Sequence, residues 1–180
     1  FDNADPPPRR QKAITPKFLR KFYQLLTGAK HPAYAQTADI TLGAYFFAMR
    51  SCEYTKAARP GRTKIVRLGC IVFRTRERKV INYSDPDLLS LSVVFATIVF
   101  EDQKNGKKMD ARTQRRSGHQ FLCPVLCWDS AVKRIIATIP NYNDQTNLCL
   151  VLLNGEVLDL SNSFVRKLLL HTCTLYGGHT

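Results

Sequence analysis

The stretch from Tyr34 to Cys52 constrains this chain more than any other, because it is apolar nearly all round. A helix without a polar face has to be surrounded by protein. One long helix is therefore expected there, at the centre of the core. Its end carries an exception. In Ala44-Tyr45-Phe46-Phe47-Ala48-Met49-Arg50-Ser51-Cys52-Glu53 an arginine stands three residues before a glutamate. Residues three apart share a helix face, so the Arg50 guanidinium and the Glu53 carboxylate are expected side by side. Packing has no use for an arginine at that place, which points to a charge held for a ligand. The plainer alternative is an internal ion pair with Glu53.

Other elements follow from period and punctuation. Thr15-Pro16 opens a helix as N-cap and first helical residue. Phe18, Leu19, Phe22, Leu25 and Leu26 give it an apolar face, and Gly28 ends it. Beyond Glu53 the period shortens. Ile65 to Phe73 and Val80 to Tyr83 read as two strands around the turn Arg74 to Lys79, and Val93 to Phe100 as a third. Asn105-Gly106 is a hairpin signal, so a fourth strand is expected from Lys108 or Met109. Pro124 starts a helix with Val125, Trp128, Val132, Ile135 and Ile136 on its apolar face. A hairpin around Asn154-Gly155 and a helix from Ser161 or Ser163 to about Gly177-Gly178 complete the chain. The pattern predicts an α+β class, helices flanking a small antiparallel sheet. With 180 residues, 44% of them apolar, one domain is expected over 13–180. Residues 1–12, with Pro6-Pro7-Pro8-Arg9-Arg10, read as a stiff basic linker.

The formal net charge is +13. From Gly118 to Thr180, Lys133, Arg134, Arg166 and Lys167 are balanced by Asp129, Asp144, Glu156 and Asp159. The whole excess therefore precedes Gly118, the footprint of a polyanion partner. In Val99-Phe100-Glu101-Asp102-Gln103-Lys104-Asn105-Gly106 a strand is expected to run into a tight turn presenting Lys104. Arginine and lysine suit phosphodiester transfer. The arginine fork holds two non-bridging oxygens, and a lysine can pass a proton to the leaving oxygen. The six cysteines form no Cys-x-x-Cys pair, so buried thiols in a reducing compartment are expected, and no metal. No run reaches the eighteen or so apolar residues of a membrane span. The start at Phe1, without methionine or leader, reads as a piece of a longer intracellular product.

The order of these segments resembles the tyrosine recombinase (phage integrase-like) catalytic domain: Thr-Pro helix, apolar helix ending in Arg-x-x-Glu, three strands, Gln-Lys-Asn-Gly hairpin and Cys-Pro helix. It is most similar to the divergent branch carried by eukaryotic mobile elements, on the runs Phe46-Phe47-Ala48-Met49-Arg50-Ser51-Cys52-Glu53-Tyr54 and Asp102-Gln103-Lys104-Asn105-Gly106, with Leu122-Cys123-Pro124-Val125 after them. The resemblance covers about Ala13 to Gly178. It implies DNA recombination and integration, by strand breakage and rejoining through a covalent 3′-phosphotyrosine, without a cofactor or metal. Arg50 would contact the scissile phosphate, Glu53 would support it, and Lys104 would be the general acid. Lys107 and Lys108 are neighbours that could substitute for Lys104 or contact the backbone, as would Arg62, Lys64, Arg112, Arg115 and Arg116. The implied partner is double-stranded DNA, with self-association on it, and the location is nuclear if the source is a eukaryotic mobile element.

The chain departs from that pattern in several places. The family usually has glycine two positions before the first arginine. Ala48 stands here, a change expected to be harmless. The segment Tyr54 to Lys64 is longer than in the bacterial enzymes. None of His31, His119, His171 or His179 is followed by arginine three residues on, and Tyr176 is in the wrong context for the nucleophile. The expectation is the N-terminal half of a catalytic domain. The alternatives are a non-catalytic DNA-binding module or decayed relic, and an RNA- or ribosome-associated basic protein. The placing of the aromatics in the core argues against the last.

Overall fold

Thr15 caps the first helix as its sequence predicts: its hydroxyl accepts the Phe18 N–H at 3.2 Å. In a computed structural model, which describes residues 14–58, 63–85, 93–102 and 108–176, helix α1 spans Pro16–Gly28 and buries Leu19, Phe22 and Leu26. Helix α2 spans Pro32–Phe46, with every residue from Gln36 to Ala44 buried. It is the enclosed helix that its composition demands.

That helix does not run on to Cys52. It stops at Phe46, the chain turns through Ala48 at φ 52°, and a separate short helix, α3, spans Ser51–Tyr54. The hydrogen bonds explain the break. In a continuous helix the Arg50 N–H would bond the Phe46 carbonyl. Instead that carbonyl accepts from the Gln114 side chain at 3.2 Å, and the Arg50 N–H bonds the Glu53 carboxylate at 2.8 Å. Met49 bonds back to the Ala44 carbonyl at 2.9 Å and closes the turn.

A 3-10 turn at Leu68–Cys70 leads into β1 (Ile71–Arg74), then β2 (Val80–Ile81), β3 (Phe95–Phe100) and β4 (Asp110–Arg115). All pairings are antiparallel, in the order β2-β1-β3-β4. The first three strands are all shorter than the sequence suggests, and the Asn105-Gly106 turn lies outside the described residues. Alternation sends Ile71, Phe73, Ile81, Ala96, Ile98 and Phe100 into the core. There they join Val125, Trp128, Val132 and Ile135 of α4 (Pro124–Thr138). Strands β5 (Leu150–Leu153) and β6 (Glu156–Asp159) form the hairpin around Asn154-Gly155, both in left-handed conformation. Helix α5 spans Asn162–Tyr176, and Ser161 accepts the Phe164 N–H at its start. A second apolar cluster joins α1 to α2 and α4 through Phe22, Leu26, Leu42 and Cys127. The described residues thus form an α+β fold with a small antiparallel sheet.

The polar residues of α2 are paid for by α4. Arg134 donates to Gln36 Oε1 at 2.5 Å and to Asp39 Oδ2 at 2.8 Å, and Gln36 Nε2 donates to the Leu148 carbonyl at 2.7 Å. Burial pushes the Asp39 carboxyl up from its ordinary 3.8 to about 6, against the pull of Arg134.

Candidate nucleic-acid interface

Glu53 is the residue on which the site is built. Its side chain is 4% exposed, while that of Arg50 is 51% exposed, with NH1 3.6 Å from Glu53 Oε1. The other carboxylate oxygen takes the Arg50 backbone N–H. This is the glutamate half of a capping box, a carboxylate at the third helical position reaching back to the N-cap amide. The pair was expected to share one helix face. It meets instead across the start of α3, with Arg50 as the extended N-cap. The internal ion pair is therefore real, and it leaves half of the arginine open to solvent.

Two contacts fix the surroundings of this turn. Val66 N–H bonds the Glu53 carbonyl at 2.8 Å, which ties the segment carrying Lys64 and Arg67 to α3. Gln114 on the Phe46 carbonyl ties β4 to the end of α2, and Arg112 lies on the same side of that strand, opposite Ile98. Each cation here has a carboxylate. Lys64 is 3.4 Å from Glu101, and Arg67 pairs with the same group. Arg112 is 3.2 Å from Asp110 and lies over the Phe100 ring at 5.8 Å. The hydrogen bond from Arg67 holds the Glu101 carboxyl below its usual range. Lys64 and Arg112 keep 60% and 45% of their side chains exposed, so these pairs contribute little stability and can exchange partners. Arg67, 18% exposed, was not singled out by sequence. Only its bond to Glu101, far along the chain, shows its place.

The structure does not bring all the sequence candidates together. Arg112 and Arg116 project toward the helices, where Arg116 acts on the charge of Asp129. Arg115 projects from the opposite face, 6.0 Å from the Phe95 ring. Lys108 is exposed just before β4. Arg62, Lys104 and Lys107 lie outside the described residues. Tyr176 ends α5, with the Lys21 ammonium of α1 5.6 Å from its ring. Of the cysteines, Cys70, Cys123, Cys127 and Cys149 are buried, whereas Cys173 is exposed and Cys52 lies between. Among the described residues no three His, Cys, Asp or Glu side chains are grouped to hold a metal ion. No described helix is long and apolar enough to cross a membrane.

No protein-family model, curated protein or solved structure matches the chain.

Proposed function

We propose that this chain binds the phosphates of double-stranded DNA, with Arg50 gripping one phosphate as the first active-site arginine of a tyrosine recombinase does. The parent activity on this reading is DNA strand breakage and rejoining, with Lys104 as the acid for the leaving oxygen. One observation carries it. A buried carboxylate spends both oxygens on Arg50, one on its amide and one beside its guanidinium, yet leaves that guanidinium half exposed. The buried carboxylate fixes where the guanidinium sits, and the exposed half keeps N–H groups open to a ligand. A positioned, accessible fork is what a phosphate needs.

The test is a titration of labelled duplex at several salt concentrations. Each phosphate contact adds about 0.9 to the log-log slope. Arg50→Ala should lower the slope by about 1 and weaken binding, and Arg50→Lys should keep the slope. A flat salt response in the unmodified protein, or an unchanged slope in Arg50→Ala, rules the reading out.

A second reading, a duplex-binding module without cleavage, is favoured by Tyr176, which lies against Lys21 of α1 rather than at the Arg50 turn. A nicked duplex that traps covalent intermediates separates the two. A protein-DNA adduct supports the enzyme, and its loss in Tyr176→Phe would reassign the nucleophile to α5.

A further inference from the structure

We infer that the sheet face turned away from the helices is a second phosphate-binding surface, whose ligand is the sugar-phosphate backbone of duplex DNA. It goes beyond the Arg50 site and does not depend on it. Alternation builds the face. Phe95, Thr97 and Val99 of β3 project opposite to Ala96, Ile98 and Phe100, and they belong to neither apolar cluster. Arg74, Phe95 and Arg115 are direct neighbours across β1, β3 and β4. From the turn between β1 and β2, Arg78 places its guanidinium 3.9 Å from the Phe95 ring centre, and Arg115 approaches it to 6.0 Å. Arg74 is fixed by donating to Thr97 Oγ1 at 2.6 Å, and that hydroxyl meets the Thr113 hydroxyl at 2.8 Å.

The arginines of this face differ from those around the Arg50 turn. Arg50, Lys64, Arg67 and Arg112 each have a carboxylate partner. Among the described residues none of the ion pairs involves Arg74, Arg78 or Arg115. Two guanidiniums beside one aromatic ring, with Arg74 on the neighbouring strand, repel one another, and a polyanion removes that cost on binding. A guanidinium that rests against a ring by its face can still turn its N–H edge to phosphate oxygens. Beside it runs an open cleft of about 540 Å³ lined by Thr75, Arg76, Glu77, Val94, Arg115 and Gly118 among others. The Glu77 carboxyl there is held below its usual range chiefly by its own backbone amide. A platform for single-stranded bases needs several open aromatic rings. Among the described residues the ring of this face, Phe95, is covered by arginine, which favours contact to the backbone of a duplex over stacking of single-stranded bases.

The test uses the whole chain and a short labelled duplex over a range of salt. Arg78→Gln with Arg115→Gln should lower the log-log slope by about 2, and Arg78→Lys with Arg115→Lys should keep it. An unchanged slope in the glutamine pair, or an equal drop in the lysine pair, overturns the inference. A measurement on the unmodified protein guards against misfolded variants: duplex DNA should protect Arg78 and Arg115 from phenylglyoxal. Arginines that stay reactive overturn the inference, as does protection by poly-glutamate equal to that by duplex. The two sites fail separately. A drop confined to Arg50→Ala sinks this surface alone, and a drop confined to the glutamine pair sinks the Arg50 site alone.

Discussion

Ala48 sits at φ 52°, in the left-handed region where a Cβ costs about 1 kcal/mol or more. The substitution expected to be harmless is therefore strained, since glycine is the residue this turn prefers. Ala48→Gly should stabilise the fold by about 0.5–1 kcal/mol after the greater freedom of the unfolded glycine is subtracted. Urea unfolding measures this, and a destabilised Ala48→Gly would mean that the methyl contact outweighs the strain. The same turn shows how far the site was legible. Arg50 and Glu53 stand out in sequence by charge within an apolar run. The break that orients them is invisible there, because it depends on Gln114 capturing the Phe46 carbonyl from a strand 68 positions away.

Helix α2 meets α4 so closely that a Cβ on Gly43 would lie 2.6 Å from the Trp128 ring. Gly43→Ala should therefore destabilise by about 1–3 kcal/mol, the usual cost of overpacking. A thermal or urea transition unchanged from the parent would show that Trp128 can move aside. Elements set by local chemistry were legible: Thr15-Pro16, Pro124, Asn154-Gly155 and Ser161 all act where the sequence puts them. Elements set by distant partners were not. Ile65 and Val66 have the composition of a strand, but Val66 bonds Glu53 and Leu148 instead of a sheet neighbour. Gln36 and Asp39 look like blemishes in an apolar helix until Arg134 of α4 is seen between them.

The whole molecule carries a pH dependence at that junction. Asp39 is 1% exposed, with its carboxyl raised from 3.8 to about 6 by burial, and with Arg134, Tyr23, Cys127 and Asp129 acting around it. Between those values the folded state binds more protons than the unfolded one, so stability falls as pH rises from about 4 to about 6. Burial raises the Asp129 carboxyl too, in the same sense. Relative to Asp39→Asn, the parent should lose on the order of 2 kcal/mol across that window. Urea unfolding of both proteins near pH 4.5 and pH 7 checks this, and parallel pH profiles would remove Asp39 as the cause. Strand β3 has a consequence on the same scale. Its two faces serve unrelated ends, core on one side and arginines on the other. Sliding it by a single residue would swap them, thrusting Thr97 into the apolar core and Ile98 among the arginines. A one-residue insertion or deletion within β3 would thus have to be absorbed by a bulge or disrupt both faces. The connection Thr75–Lys79 can lengthen freely, so evolution can retune where Arg78 reaches without touching the fold.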